Sequence, residues 1–347
     1  MRISSARRWA IPVVAGAAFV GAGPLLGVLT SSAHADLPPR TPQQLLVDVQ
    51  RADLAGLSGT ITESADLGLP ALPDGLAPSG SDPLALLTGS HTMRVWTDGR
   101  QRSRVALLSQ YGESDLIRNG TDVWAWTSDT HRATHWTLSS PRPVTRTMAL
   151  TPQQVADRAV ASLNPTTVVT GDRTTTVAGR PAYVLELKPR SATTLVRSVE
   201  IDIDGATHVP TRVAVYATDQ GKPALSVGFS HVDPSTPPAS VFAFTPGPGV
   251  KVKQAEPHSG TPHTGARPRL IGSGWDSVLV TTLPHNALSR LESSGRAAGL
   301  LQTLPRVSGA WGSGRLLESS LFSAVLTDDG RVAIGAVPPD TLYAALT

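Results

Sequence analysis

Apolar residues recur at every second position through much of the middle of the chain. Between Ser198 and Ile203, valine and isoleucine alternate with acidic residues, and Tyr183, Leu185 and Leu187 repeat the pattern. Successive side chains of a β-strand point to opposite faces of its sheet, so this period predicts strands with one buried face.

Short turn sequences separate these strands. Asp98-Gly99, Asn119-Gly120 and Gln220-Gly221 each lie between alternating segments, where a glycine allows a tight hairpin. Hairpins join antiparallel strands, so the sequence predicts a long antiparallel meander.

Two helices are predicted by the same four residues at their start. Thr41-Pro42-Gln43-Gln44 and Thr151-Pro152-Gln153-Gln154 each form a capping box with proline in the first turn. The first helix is predicted to run to about Ala55, and the second to end before Asn164. Few helices over a long meander favour an α+β fold: a strongly curved sheet, or incomplete barrel, with helices covering an apolar cavity.

The N-terminus has the pattern of a secretory signal peptide. Arg2, Arg7 and Arg8 precede an apolar run over residues 10–29, and Ala33 and Ala35 fit a small-residue cleavage site. We therefore expect removal of residues 1–35 and export across the cytoplasmic membrane, to the cell envelope or the medium.

Charge and cysteine content narrow the possible partners and chemistry. The chain has 30 Lys and Arg against 27 Asp and Glu, and loss of the three arginines in residues 1–35 leaves 27 against 27. A neutral mature chain gives no indication of a nucleic-acid partner. The absence of cysteine excludes disulfides, thiolate metal sites and thiol nucleophiles.

The composition divides the chain into three parts after the signal peptide. Residues 36–250 are predicted to form the half-barrel domain, and residues 251–269, which are rich in Gly, Pro and Ser, a linker. Residues 270–347 are predicted to form a small α+β domain, with a strand from Trp275, a helix over residues 286–303, a hairpin and a final helix from Pro339. We expect this unit either to dock on the sheet or to fold alone.

Several fragments occur in an order that is typical of one family. A capped helix leads into Leu57–Ile61, and further along come Asn119–Trp126, Gly179–Leu187, Ile201–Arg212 and Val241–Pro246. Over roughly residues 41–253 the chain thus resembles the LolA-like periplasmic lipoprotein-carrier superfamily, which includes the RseB-like sigma-factor regulators. The resemblance implies an incomplete β-barrel with a helical lid over an apolar cavity that accepts acyl chains. The extra C-terminal unit is nearer to the regulator branch.

Apolar residues in the early strands and in one leucine-rich segment are the candidate ligand contacts. The segment Leu67–Leu87 is predicted to be either a mobile flap over the cavity mouth or an ordinary core plug. Tryptophans in the strands can likewise build core or contact ligand. The candidates are Leu69, Leu72, Leu76, Met93, Val95, Val105, Leu107, Trp124 and Trp126. Arg94, Arg102 and Arg104 are expected on the opposite face, although Trp96 shares the face of Arg94 and leaves the assignment open.

No motif for catalysis or metal binding is present. His131 and His135 share a strand face but lack a third ligand, and Asp202 and Asp204 are interpreted as a solvated strand end. The sequence also lacks the serine-hydrolase, zinc-protease and phosphate-loop patterns. We therefore expect no enzyme, no metal and no cofactor.

Three functional hypotheses remain. The first is a carrier whose ligand is a lipid or an acylated protein, and the second is a regulatory module that binds a membrane-associated protein. The third, a hydrolase with an unrecognised site, has no motif in its favour. No nucleic-acid partner is expected.

Overall fold

A computed structural model describes the chain at residues 37–52, 55–69, 89–109, 112–138, 166–255, 268–284 and 295–347, with single positions 152, 289 and 293. The predicted signal peptide, Leu72, Leu76 and nearly all of the second predicted helix lie outside these residues. Within the described ranges, no helix is long and apolar enough to cross a membrane.

Twelve strands form one large sheet. They are β1 (Leu57–Ala65), β2 (Gly89–Thr97), β3 (Arg102–Ser109), β4 (Gly112–Asn119), β5 (Asp122–Thr127), β6 (Arg132–Thr137), β7 (Thr167–Val177), β8 (Arg180–Pro189), β9 (Val196–Asp204), β10 (Pro210–Ala217), β11 (Pro223–Asp233) and β12 (Lys251–Gln254).

The large sheet is strongly curved and does not close. Its strand order is β12-β6-β5-β4-β3-β2-β1-β11-β10-β9-β8-β7, so β12 and β7 form the two edges. All neighbours are antiparallel except β12 and β6, which are parallel. The predicted incomplete barrel of antiparallel strands is therefore confirmed.

Strand β1 joins two meanders that are far apart in sequence. It pairs with β2 on one side and with β11 on the other, where Glu63 lies opposite Val227. The pairs that continue this row across the sheet are Val227–Val213, Val213–Ile201 and Ile201–Leu185. These residues share one face because directly paired side chains of neighbouring strands point the same way.

One face of the large sheet carries the main core, and we call it the inner face. Ile61, Leu185 and Ile201 are fully buried there. Helix α1 (Pro42–Arg51) packs chiefly on β7 and β8, and it buries Leu45 and Val49 in the same core.

Helix α1 begins at the capping box that the sequence predicts. The Gln44 amide donates to the Thr41 hydroxyl at 3.2 Å, and the Thr41 amide donates to the Gln44 side chain at 2.8 Å. The helix ends at Arg51, earlier than the predicted Ala55, because Ala52 leaves the helical conformation at ψ 111°.

The opposite, outer face of β7 to β11 is held by ion pairs. Arg212 Nε donates to Asp202 Oδ2 at 2.5 Å, and Arg173 Nη2 donates to Glu200 Oε1 at 2.6 Å. Asp202 is fully buried beneath these side chains, and Asp204 is buried as well, which corrects their interpretation as a solvated strand end. This network explains why a face with small residues such as Ala214 and Gly228 excludes water: the arginine stems cover it.

Six further strands and two helices form the C-terminal unit. They are β13 (Arg269–Ile271), β14 (Val278–Thr282), β15 (Arg306–Gly309), β16 (Gly312–Glu318), β17 (Ser323–Thr327) and β18 (Arg331–Gly335), with α2 (Gly295–Thr303) and α3 (Pro339–Leu346). The sheet order is β13-β14-β18-β17-β16-β15, and α3 buries Leu342 and Leu346 against it.

The C-terminal unit docks on one end of the large sheet. Leu321 and Phe322, between β16 and β17, belong to the main core. Thr194 Oγ1 donates to the Ala336 carbonyl at 2.8 Å, and the Ser320 amide donates to the Leu67 carbonyl at 2.8 Å. The predicted hairpin is present as β17 and β18, although the arm predicted over residues 316–326 is divided between β16 and β17, and the final helix begins at Pro339 as predicted.

Two details of the predicted C-terminal half need correction. The first residues of the predicted linker, Lys251–Gln254, form strand β12, whose backbone pairs in parallel with Arg132–His135 of β6. The predicted strand from Trp275 begins instead at Val278, because Gly274–Asp276 forms a turn of 3-10 helix. Both segments lack apolar alternation, so sequence periodicity cannot define their bounds.

Candidate ligand-binding face

Four of the predicted ligand contacts lie together on the inner face. Met93 pairs with Leu107, and Val95 pairs with Val105, across β2 and β3. Met93, Val95 and Val105 are buried in the main core, and Leu107 is half-buried beside them. The alternating pattern in the sequence therefore correctly places these four residues on one face of the sheet. Their contact with a ligand remains a prediction.

The start of the leucine-rich segment packs on the same core. Leu67 is buried and Leu69 is half-buried against it. Leu72 and Leu76 lie outside the described residues. The choice between a flap and a core plug therefore remains open for that part of the segment.

Trp124 and Trp126 lie on the outer face, opposite the face that carries Met93 and Leu107, and their contact with a ligand remains a prediction. Trp126 pairs with Asp115 and Trp124 pairs with Ile117, one position out of phase with the inner-face residue Leu116. A shift of one residue along a strand moves a side chain to the other face. The two tryptophans are therefore separated from the inner face by the sheet itself.

The chain that follows β11 packs on the outer face of β3 to β5. Phe244 lies 5.2 Å from Trp124 and 6.2 Å from Trp126, measured between ring centroids. Phe242, in the 3-10 helix Ala239–Phe242, is fully buried under the Arg102 guanidinium. The fragment Val241–Pro246 thus seals the outer face with aromatic rings, which explains its apolar residues.

Arg94 and Trp96 share the outer face with Arg104. The Arg104 guanidinium lies 5.6 Å from the Trp96 ring centroid and also pairs with Asp115. Burial, with the nearby Glu113, raises the pKa of Asp115 to about 7 even though Arg104 opposes this. These contacts resolve the open face assignment: aromatic and cationic side chains stack together on the outer side.

The apolar inner face is unevenly covered. Leu185 and Ile201, on β8 and β9, are fully buried, whereas Leu107, Leu116 and Ala125, on β3 to β5, are half-exposed. Val105 pairs with Leu116, and Leu116 pairs with Ala125, so the half-exposed side chains form one continuous patch. We call Leu107, Leu116 and Ala125 the open patch.

Two titratable residues on the inner face were not among the predicted contacts. Glu63 is 1% exposed and lies directly opposite His91 on β2. Burial raises the pKa of Glu63 to about 8 and lowers the pKa of His91 to about 4. Both groups are therefore uncharged near neutral pH. The sequence could have indicated this site, because Glu63 stands between Ile61 and Ala65 in the alternating pattern and so falls on their apolar face.

The histidines do not form a metal site within the described residues. His135 stacks on Trp124 at 4.3 Å, and its Nε2 lies 3.1 Å from Asp122 Oδ1. His131 is in a turn with a positive φ of 49°. In these ranges no three His, Asp or Glu side chains converge closely enough to hold a metal ion.

A groove of about 760 Å³ lies where the N-terminal segment crosses the edge strand β7. Leu37, Arg40, Val169 and Tyr183 contribute to its walls. The Tyr183 hydroxyl donates to the Pro38 carbonyl at 2.7 Å and so fixes the segment against the sheet. This groove is separate from the open patch, because none of Leu107, Leu116 and Ala125 lines it.

Comparison with known proteins gives matches only among solved structures. No protein-family model matches the sequence, and no curated protein matches it. One similar structure is a chain of the MucA/MucB complex of Pseudomonas aeruginosa, at 18% identity and a TM-score of 0.44 over 88% of this chain and 96% of that chain.

Two other similar structures belong to lipoprotein-related groups. A LolA superfamily protein from Nitrosomonas europaea is 14% identical, with a TM-score of 0.22 over 59% of this chain and 99% of that one. An outer membrane lipoprotein-sorting protein domain from Vibrio parahaemolyticus is 8% identical, with a TM-score of 0.21 over 88% and 97% of the two chains. These are the kinds of protein that the sequence resemblance named. At such values the similarity carries no information on ligand or partner.

Proposed function

We propose that this protein is an exported, non-catalytic binding protein that holds an acyl chain against the inner face of its curved sheet. The observation that carries the proposal is the open patch, which is apolar, continuous and only half-buried. It lies next to the buried residues Met93, Val95 and Val105. An apolar face of a sheet must be covered by something, and α1 packs chiefly on β7 and β8 at the other side. An acyl chain lying on the open patch would remove that surface from water.

The site suits an acyl chain better than a reacting substrate. The open patch of Leu107, Leu116 and Ala125 offers aliphatic contact, and each buried methylene of a ligand contributes about 0.8 kcal/mol. No nucleophile, base and orienting group converge on this face in the described residues, as hydrolysis would require. Export is proposed from the signal-peptide pattern of residues 1–35.

The proposal is tested by two matched variants on strand β3. Leu107 faces the inner side and its neighbour Leu108 faces the outer side, and both are half-buried. We expect Leu107→Gln to weaken binding of a fluorescent methyl ester of dodecanoic acid by about five- to tenfold, and Leu108→Gln to leave it within about twofold. Equal effects of the two variants, with unchanged thermal unfolding, would contradict a ligand on the inner face.

A second candidate function is a regulatory module that binds a membrane-associated protein. The observation in its favour is the C-terminal unit, whose sheet ends in β13 and β15. No other described strand pairs with the outer edge of either one, and another chain could use such edges. One of the similar solved structures is MucB in complex with MucA(peri). Crosslinking in the envelope of the native host distinguishes the two: a stoichiometric protein partner that depends on β15 supports regulation, and its absence supports a carrier.

A further inference from the structure

We propose that Glu63 and His91 form a neutral polar site on the inner face of the large sheet, and that this site recognises an uncharged hydroxyl group at the polar end of an acyl ligand. A monoacylglycerol has the required chemistry. The inference rests on the proposed function, because it names the ligand class for the same face.

The two residues are held side by side by strand register. Glu63 pairs with His91 in β2 and with Val227 in β11, and the inward neighbours of Glu63 along β1 are Ile61 and Ala65. Met93 follows His91 at the next inward position of β2 and pairs with Leu107 of the open patch. His91 and Glu63 therefore lie on the same face as the open patch, beyond the buried Met93.

Both groups have polar atoms that are buried without a partner. Among the described residues, Glu63 Oε1 and His91 Nδ1 accept or donate no hydrogen bond. Glu63 makes no ion pair with any of these residues either. A buried polar atom without a partner is costly, and such atoms are usually satisfied in folded proteins. A ligand group that bonds to both would remove the cost.

The charge of the site decides which ligand group fits. Burial keeps Glu63 protonated and His91 neutral near pH 7, as the shifts in their pKa values show. A protonated carboxyl donates one hydrogen bond and accepts others, and a neutral imidazole donates one and accepts one. A hydroxyl group, which both donates and accepts, complements this pair. Within the described ranges, no lysine or arginine is paired with Glu63 across β1 and its neighbours, so a ligand carboxylate or phosphate placed there would bury an unbalanced charge.

The test compares two ligands that share one chain, monodecanoylglycerol and methyl decanoate. Displacement of a fluorescent acyl ester gives the dissociation constants of both ligands for the wild type and for Glu63→Leu. For each protein, the two constants are divided to give its preference for the glyceride, and comparing this preference between the two proteins cancels differences in ligand solvation. We expect the wild type to prefer the glyceride by about tenfold relative to Glu63→Leu, since each net hydrogen bond is worth about five- to tenfold. Methyl decanoate should bind Glu63→Leu at least as tightly as the wild type.

Two further variants make the result specific. His91→Phe should reduce the preference for the glyceride in the same direction, and it keeps the test decisive if Glu63→Leu does not fold. Ser64→Leu is the matched control, because Ser64 is the next residue of β1 and is exposed on the outer face. It should leave the preference unchanged.

The outcomes separate this inference from the proposed function. If both ligands bind the wild type but the preference is equal in Glu63→Leu and His91→Phe, the polar site is refuted and acyl binding stands. If neither ligand binds the wild type, acyl binding fails and the polar site fails with it.

Discussion

Glu63 and His91 lie directly opposite each other on β1 and β2, and burial shifts their pKa values in opposite directions. The pKa of Glu63 rises from 4.5 to about 8, and that of His91 falls from 6.5 to about 4. Both shifts favour the uncharged form. The pair therefore makes the stability of the fold depend on pH on both sides of neutrality.

We expect the wild type to lose stability relative to Glu63→Gln as the pH rises from about 5 to 8. The unfolded chain releases the Glu63 proton near pH 4.5 and the folded chain only near pH 8, so in this interval the folded state binds more protons. Stability then falls with rising pH, by up to about 5 kcal/mol over the whole interval. Urea unfolding of both proteins at a series of pH values measures the difference. A difference that does not change with pH would contradict the burial of Glu63.

Below neutral pH, the dependence of the free energy of unfolding on pH is expected to come from His91. Its folded pKa is lowered, so the unfolded state binds more protons than the folded state between about pH 6.5 and 4. The wild type is expected to lose stability relative to His91→Phe as the pH falls through that interval. The same urea titrations follow it, and an unchanged difference between the two proteins would show that folding does not lower the pKa of His91.

The Asp202–Arg212 pair is expected to be the most sensitive point of the outer face. Burial raises the pKa of Asp202 and Arg212 opposes this, so Arg212→Met removes the cation that lies 2.5 Å from this buried carboxyl. We expect the free energy of unfolding to fall by about 3–5 kcal/mol.

Arg173→Met is the control for that variant. Arg173 also pairs with a carboxylate, at 2.6 Å, but its side chain is 51% exposed, so its loss should cost at most about 1 kcal/mol. Urea unfolding measures both. Equal costs would show that Asp202 is not isolated from water.

The C-terminal unit is expected to stay bound after the chain between the units is cut. Residues 256–267 are rich in Gly, Pro and Ser, and we expect subtilisin to cut there, after β12 ends at Gln254. The fragments should elute together from a sizing column, because Leu321 and Phe322 are buried in the main core. Phe322→Ser should weaken their association. Separation of the wild-type fragments without denaturant would mean that only the covalent linker holds the two units together.

Local patterns in the sequence predict much of this fold. Alternation between Ser198 and Ile203 predicts a strand, Asn119-Gly120 predicts a hairpin, and Thr41 with Gln44 predicts a helix start, and all three are present. Each of these signals depends on residues that are close in the chain. The curvature of the sheet followed from the small number of helices available to cover it.

Non-local contacts account for what the sequence did not predict. Trp124 and Trp126 look like inner-face residues until Phe244, more than a hundred positions later, is seen to cover them on the outer face. Strand β12 has only exposed residues, so no apolar period marks it. The burial of Glu63 depends on the β1–β11 pairing, which joins residues far apart in the chain.

The central claim is that an acyl chain lies on the inner face, and a chain-length series tests it most directly. Isothermal titration of the wild type with methyl esters of octanoic, decanoic and dodecanoic acid gives the dissociation constant and heat-capacity change for each. Burial of each added methylene, worth at most about 0.8 kcal/mol, should lower the dissociation constant by up to about fourfold, with an increasingly negative heat-capacity change. A dissociation constant that does not change with chain length, or binding no tighter than to an unrelated exported protein, would contradict the claim.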